Sequence, residues 1–222
     1  MRVHEIYIYC DKCGKVSHKE SSVSEEAPIL KRHSAEEVLK SLRVFRTIDA
    51  VEAGVSQSTV SRLLAKGRVV KLDYGIYHHI GTAIDESKLD FIVACHRLGD
   101  DSVIGGISAL FDYVLIPQVP QQIWILIPHE NRGKFENYRI IHTKNDLSIA
   151  IEDHQDYRIV TVERAIVEAF RYASKMGYQT ALVAARRALA ERKTTEEKIF
   201  QTATDLGLWK VMIPHWEAIT VS

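Results

Sequence analysis

Residues 54–77 read GVSQSTVSRLLAKGRVVKLDYGIY, and this stretch predicts a short helix followed directly by a β-hairpin. Gly54 supplies a turn, and Ser56 is a residue type that caps helix N-termini, so a helix is expected over 56–66. Gly67 stands where a helix end favours the left-handed backbone conformation. The order of turn, capped helix and hairpin is typical of proteins that read DNA, but it also fits an ordinary helix and hairpin with a polar outer face.

The hairpin is expected to consist of strands at 68–72 and 76–80, with residues 73–75 at its tip. Both segments alternate enough to bury one face. Ile76 and Tyr77 are interpreted as core residues of the hairpin rather than as ligand contacts.

Two further helices are expected upstream of Gly54. Ser34 followed by Glu37 is a capping box, which predicts a helix through about Leu42. Thr47 is the expected cap of a second helix, which reaches Ala53. Two short helices, a glycine turn and a hairpin together predict a winged helix-turn-helix domain over 31–82.

The apolar positions support this packing and leave a polar face outside. Ile48, Val51 and Val55 are expected to pack against Val60, Leu63 and Leu64. Hydroxyl, amide and guanidinium groups would then face the major groove, where Gln pairs with adenine and Arg with guanine. The predicted DNA-binding residues are Ser56, Gln57, Ser58, Thr59, Ser61, Arg62, Lys66, Arg68, Lys71 and Tyr74.

Charge is informative only locally. The whole chain of 222 residues has 29 Lys and Arg against 29 Asp and Glu, so its net charge favours no class of partner. Residues 31–79 contain nine Lys and Arg against five Asp and Glu, an excess that phosphate binding requires. A solvated helix with a few basic residues remains the simpler interpretation of charge alone.

Composition limits the remaining possibilities. With 46% hydrophobic residues the chain can form a substantial core. It has no apolar run long enough for a membrane span and no N-terminal secretory signal, and its three cysteines are too few for a disulfide framework. We therefore expect a cytoplasmic protein.

The segment 88–222 predicts a larger mixed α+β domain that ends in a region resembling a helical bundle. Apolar periodicity indicates a helix at 89–98 and another from Ile107 up to Pro117. The apolar run 122–128 predicts a buried strand, and three more strands are expected at 138–143, 147–153 and 157–162. From Glu163 onward the pattern is helical, with breaks at Gly177, Thr194–Thr195 and Gly207. The fold class is therefore α+β, with the winged helix-turn-helix first.

Three stretches of the sequence together resemble the AbiEi-family antitoxins. They are FRTIDAVEAGVSQSTVSRLLAKGRVVKLDYGIYHH (45–79), ISALFDYVLIPQVPQQIWILIP (107–128) and DYRIVTVERAIVEAFRYASKMGYQTALVAARRAL (156–189). The resemblance spans roughly residues 34–222 and lies in the order and spacing of these segments. It implies a transcriptional autorepressor of a type IV toxin-antitoxin system, with operator DNA bound by the winged helix. It also implies a nucleotidyltransferase-like toxin as the functional partner, which the larger domain helps to neutralise without necessarily binding it.

The N-terminal extension, residues 1–30, departs from the family pattern. CDKCG at 10–14 has the form of a zinc knuckle, and Cys10, Cys13 and His18 are candidate zinc ligands. The second ligand pair of such a site is missing, so a pair of free thiols is an equally good interpretation, and no cofactor is otherwise expected.

No catalytic motif of the hydrolase-elbow, Walker or zinc-peptidase type occurs, so we expect no enzymatic activity. The acidic cluster Glu152, Asp153, His154 and Asp156 suggests a metal-dependent nuclease, although an acidic loop between strands is favoured. A protein-interaction module is the other alternative to DNA binding. The C-terminal helices also have a basic face, interpreted as solvated surface rather than a second nucleic-acid contact. It comprises Arg186, Arg187, Arg192, Lys193 and Lys198.

Overall fold

Helices and two β-sheets build a mixed α+β protein, as predicted. The computed structural model describes residues 34–130, 135 and 137–220, all within one compact unit, Ser34–Ser222. The helices are α1 (Ala35–Leu42), α2 (Thr47–Glu52), α3 (Gln57–Ala65), α4 (Leu89–Leu98), α5 (Gly106–Asp112), α6 (Val162–Arg171), α7 (Ala173–Met176), α8 (Tyr178–Ala190), α9 (Glu196–Asp205), α10 (Trp209–Met212) and α11 (Trp216–Thr220). The strands are β1 (Val44–Arg46), β2 (Val69–Asp73), β3 (Ile76–His79), β4 (Val103–Ile104), β5 (Ile123–Pro128), β6 (Tyr138–Thr143), β7 (Ile151–Asp153) and β8 (Arg158–Val160). Single 3-10 turns occupy Glu86–Lys88 and Ile213–His215. Over these ranges, every helix is too short or too polar to cross a bilayer.

The smaller sheet has three strands in the order β1-β3-β2, all antiparallel, and α1, α2 and α3 belong to the same part of the chain. The predicted capping box starts α1, because Glu37 N–H donates to Ser34 Oγ and Ser34 N–H donates to the Glu37 carboxylate. The core of this part comprises Leu39, Phe45, Ala50, Val55, Val60, Leu63 and Val69.

The start of α2 differs from the prediction by one residue. Thr47 is the first helical residue, and Arg46 occupies the cap position. The reason is Asp49, whose carboxylate accepts the Arg46 N–H at 2.7 Å and also binds the Arg46 guanidinium. The acidic side chain of Asp49 therefore caps the start of α2, the role that was expected of the Thr47 hydroxyl.

The hairpin of β2 and β3 forms as predicted. Gly75 lies at its tip with φ of 72°, a conformation that L residues rarely adopt. The register of β2 shifts between Lys71 and Asp73, so the strand carries a bulge just before the tip.

The larger sheet has five strands in the order β6-β5-β4-β8-β7. It is mixed, since β5 and β6 are parallel, β4 and β8 are parallel, and the other two pairs are antiparallel. The predicted buried strand is confirmed as β5, whose residues Trp124, Ile125, Leu126 and Ile127 are all buried. Helices α6 to α11 follow β8 one after another, and the gaps between them include the predicted breaks at Gly177, Thr194–Thr195 and Gly207.

Two predicted elements are shorter than expected. The helix predicted to continue to Pro117 ends at Asp112, because the chain reverses at Val114, which has φ of 58°. Leu115 N–H then donates to Leu110 O at 2.9 Å, and the Leu115 side chain is buried. The strand predicted at 147–153 is limited to β7, which starts at Ile151.

The five-stranded sheet and helices α4 to α11 share a larger core, and a third apolar cluster lies between the smaller sheet and α4. Val44 and Ile76 of the smaller sheet are buried with Ile92 of α4, and Leu72 and Val93 pack against them. The smaller sheet is therefore in direct contact with the larger part of the fold.

Candidate nucleic-acid interface

Apolar side chains pack one face of helix α3 against the core, and a hydroxyl group caps its N-terminus. Val55, Val60 and Leu63 are buried in the core of the smaller sheet. Ser56 Oγ accepts the Thr59 N–H at 3.3 Å, as the sequence predicts for a cap. Helix α3 has nine residues, and an α-helix with its side chains is about 10–12 Å across, which suits a DNA major groove about 12 Å wide.

The outer face of α3 is exposed as predicted. Gln57, Ser58, Ser61, Arg62 and Lys66 are exposed, and Thr59 is half-buried. These are the side chains that the apolar pattern left outside, and they include amide, hydroxyl and cationic groups suited to bases and phosphates.

The predicted packing of α2 is wrong in one respect. Ile48 and Val51 were expected in the core, yet their side chains are 57% and 53% exposed. Ala50 is the fully buried residue of this six-residue helix. The helix is rotated so that its smallest apolar residue faces the core, which leaves the two larger ones in solvent.

The hairpin presents an exposed tip. Tyr74 is 84% exposed, and the Lys71 Nζ lies 5.4 Å from the centre of its ring, a cation–π contact. Tyr77 stacks on Phe45 with ring centres 5.8 Å apart, and Ile76 is buried, which confirms both as core residues. The tip therefore carries a cation and an aromatic ring that the core does not use.

Ion pairs within the chain account for three of the cations in this region. Arg43 binds Asp156 at 2.8 Å, Arg46 binds Asp49 at 2.6 Å, and Arg68 binds Glu36. Arg68 was predicted to contact DNA, and in the structure its guanidinium donates hydrogen bonds to Glu36, a carboxylate of α1. Among the described residues, no carboxylate pairs with Arg62, Lys66 or Lys71. The unneutralised cations of the region thus include three on α3 and the hairpin.

The Glu36–Arg68 pair lies beside a buried histidine. The hydrogen bond from Arg68 lowers the pKa of Glu36, so this carboxylate is charged at neutral pH. His79 is 1% exposed, and burial lowers its pKa, which favours the neutral imidazole. Its Nδ1 accepts the Gly81 N–H at 3.0 Å, while its Nε2 lies 3.7 Å from Glu36 Oε1.

Contacts from α4 reach the tip of the hairpin. The Arg97 guanidinium in the last turn of α4 forms an ion pair with Asp73, the last residue of β2. Asp73 also accepts the Tyr74 N–H at 2.6 Å. Sequence reasoning missed both Arg97 and Glu36, because neither lies near its partner in the chain and no local pattern marks the pairing.

The acidic cluster considered as a nuclease site lies at the hairpin of β7 and β8. Asp156 is bound to Arg43 through both carboxylate oxygens, and His154 stacks on Tyr157 with ring centres 4.6 Å apart. Asp153 and His154 line a pocket of about 370 Å³ together with Asp156. Within the described ranges, no group of three His, Cys, Asp or Glu side chains is arranged to hold a metal ion. The predicted zinc ligands Cys10, Cys13 and His18 lie outside those ranges.

The basic face of the C-terminal helices is partly committed to internal contacts. Lys193 Nζ donates to Tyr113 O at 2.6 Å, and Arg187 donates to Val114 O at 3.4 Å. Both cations also pair with Glu191. They satisfy carbonyl groups where the chain leaves α5, so a structural role accounts for them.

No protein-family model matches the chain, and no curated protein sequence matches it. Among solved structures, the crystal structure of the RV2827C protein from Mycobacterium tuberculosis is similar, with a TM-score of 0.49 and 15% sequence identity. The similarity covers 84% of this chain and 77% of that one.

Proposed function

We propose that residues 34–79 form a winged helix-turn-helix that binds operator DNA, with α2 and α3 as the helical pair and the β2–β3 hairpin as the wing. One observation carries the proposal. The cations on the outer face of α3 and on the hairpin have no carboxylate partner in the described chain, whereas Arg43, Arg46 and Arg68 do. Unneutralised cations on one helix and an adjacent hairpin suit a duplex that presents phosphates on both sides of a groove.

In this proposal α3 enters the major groove. Gln57 is available for a bidentate contact with adenine and Arg62 for one with guanine, since both side chains are exposed. The N–H groups at the start of α3 and the positive end of its dipole favour a nearby phosphate. The wing braces the adjacent backbone through Lys71 and Tyr74, which lie together at its tip.

The resemblance to AbiEi-family antitoxins supplies the biological context of the proposal. The DNA bound would be the control region of the chain's own gene, so the protein would repress its own synthesis. The functional partner would be a nucleotidyltransferase-like toxin, neutralised with the help of the larger domain and without a required direct contact. The proposal assigns no catalytic step to the chain.

The test is a titration of the purified protein against the DNA upstream of its gene, with a random duplex of equal length as the control. Fluorescence anisotropy at two salt concentrations should show binding that prefers the upstream DNA and weakens steeply with salt. Equal and weak binding to both duplexes would contradict the proposal.

Two variants locate the interface. Arg62→Ala should cost about 1–3 kcal/mol of binding free energy and relax sequence preference, because it removes a base contact. Lys71→Ala should weaken binding to all sequences alike and reduce the salt slope by about one, because it removes a phosphate contact. Lys210→Ala is the matched control, since it removes an exposed lysine from α10. If all three variants bind like the natural protein, the docking of α3 and the wing is wrong.

A protein-interaction module is the second candidate, and the exposed side chains of Ile48 and Val51 favour it. Two apolar residues one turn apart on a short helix are a surface that a protein partner can cover. The same titration separates the two candidates, because a protein-binding module would show no salt-dependent preference for the upstream DNA. Incubating that DNA with the protein and a divalent metal tests the nuclease alternative, for which strand cleavage is the diagnostic result.

A further inference from the structure

The backbone of the hairpin tip is held by its neighbours, whereas its outer side chains are exposed. Gly75 O accepts the Thr47 N–H at 3.0 Å, and Ile76, which follows the tip, is buried. Tyr74 is 84% exposed and Lys71 is exposed. The bulge in β2 lies between Lys71 and Asp73, so regular strand pairing does not set the direction of these side chains.

Helix α4 supplies a contact at this point. Its side chains Ile92 and Val93 belong to the apolar cluster that also contains Leu72 and Ile76, the residues on either side of the tip. One turn further along α4, Arg97 forms an ion pair with Asp73. Helix α4 thus contacts the hairpin next to its tip, both through apolar side chains and through this ion pair.

Asp73 connects this ion pair to the tip. One carboxylate oxygen binds the Arg97 guanidinium, and the other accepts the Tyr74 N–H at 2.6 Å. The Tyr74 ring in turn lies under the Lys71 ammonium group. The geometry points to Arg97 as a positioning residue, which sets the orientation of the wing tip for DNA without touching DNA itself. This inference rests on the proposed function and extends it to a residue of the larger part of the fold.

The expected size of the effect follows from the exposure of the pair. The Arg97 and Asp73 side chains are 30% and 39% exposed, so the pair is partly screened by water. The ion pair can stabilise the binding orientation of the tip by no more than its own interaction free energy. Loss of the pair should therefore raise the Kd for DNA about two- to fivefold.

Two single variants of the full-length protein, Arg97→Ala and Asp73→Asn, separate positioning from simple electrostatics. The first removes a positive charge and the second removes a negative one. A general charge effect would make Asp73→Asn bind DNA more tightly, whereas loss of positioning makes both variants bind more weakly. If Arg97→Ala fails to fold, which thermal unfolding will show, Asp73→Asn still decides between the two.

A double-mutant cycle tests whether the effect acts through the tip. In a background that carries Lys71→Ala and Tyr74→Ala, the tip contacts are absent, so Arg97→Ala should leave Kd unchanged. Arg139→Ala is the control for a lost arginine, because its guanidinium lies over the Trp124 ring on the larger sheet, and it should have no effect in either background.

The outcomes are distinct. The inference is supported if both single variants bind DNA more weakly and if Arg97→Ala has no effect on Kd in the background that carries Lys71→Ala and Tyr74→Ala. Wild-type affinity of Arg97→Ala, tighter binding by Asp73→Asn, or an equal loss in both backgrounds overturns it while the proposed function stands. No preference of the natural protein for the upstream DNA overturns the proposed function and this inference together.

Discussion

If the chain binds DNA as proposed, replacing Glu36 by Gln should make it bind DNA more tightly and with a steeper dependence on salt. Glu36 holds the Arg68 guanidinium through hydrogen bonds to both Nε and Nη2, and the lowered pKa of Glu36 keeps it charged at neutral pH. Arg68 directly precedes β2, and its side chain is 53% exposed to solvent. Without the carboxylate, Arg68 is free to neutralise a phosphate.

The magnitude follows from the number of free cations. In the natural protein Lys66 and Lys71 lack a carboxylate partner among the described residues, and Arg62 is assigned to a base. If each of the two lysines neutralises one phosphate, the slope of log K against log salt is about −1.8, and Kd rises roughly 12-fold between about 50 and about 200 mM salt. Adding Arg68 makes the slope about −2.7 and the rise roughly 40-fold over the same range.

The assay is fluorescence anisotropy with the upstream duplex at four or more salt concentrations. Glu52→Gln is the matched control, because it removes the same charge from an exposed residue of α2 for which no ion pair occurs among the described residues. Both variants should unfold at a temperature close to that of the natural protein, since neither change touches the Ser34–Glu37 cap of α1. If Glu36→Gln and Glu52→Gln have the same affinity and salt slope, Arg68 is not held back from DNA and the reasoning fails.

Two predictions concern stability. Arg164→Leu should lose about 3–5 kcal/mol and lower Tm by roughly 6–20 °C, because it leaves Glu168 charged in a site where both side chains are 0% exposed. Burial raises the pKa of Glu168, so this loss should shrink as the pH falls and the carboxyl group takes up a proton. Differential scanning fluorimetry measures it, with Arg171→Leu on the same helix as a control that should cost far less; equal losses would contradict the reasoning. The second prediction is that the free energy of unfolding falls as the pH is lowered from about 7.5 to about 5.5. Burial lowers the pKa of His79 in the folded protein, so the unfolded chain binds more protons than the folded one once the pH approaches the ordinary histidine pKa of about 6.5. Urea unfolding at the two pH values checks this, and a His79→Asn variant with the same pH dependence as the natural protein would show that another group is responsible.

Local sequence signals predicted the helices and the hairpin of the smaller sheet with few errors. The Ser34–Glu37 capping box, the Ser56 cap and the glycine at the hairpin tip each act through backbone groups within three residues. Such interactions depend on near neighbours, so a pattern of residue types is sufficient to place them. The exposed face of α3 followed from the same pattern, because its burial depends on the 3.6-residue period of one helix.

Predictions that depended on the orientation of a whole element were less accurate. Ile48 and Val51 are exposed because packing against the neighbouring elements sets the rotation of α2 about its axis. In that rotation the small side chain of Ala50 faces the core. The end of α5 at Asp112 is likewise decided by the burial of Leu115 against the larger core, which favours a reversal at Val114. A short amphipathic segment does not specify its own rotation or its last turn.

The sequence by itself determined the polar face of α3, the cationic character of residues 31–79 and the order of the helices and longer strands. The short strands β1 and β4 were not predicted, because two or three residues carry too little periodicity to mark a strand. Only the tertiary structure decided which cations stay free, because Glu36 and Arg68 lie 32 residues apart and Arg97 and Asp73 lie 24 apart. The strand order β6-β5-β4-β8-β7 and the cluster that joins α4 to the hairpin have the same origin. Long-range pairs form where folding brings two surfaces together, and the burial of apolar area that drives this is a property of the whole chain rather than of any one stretch.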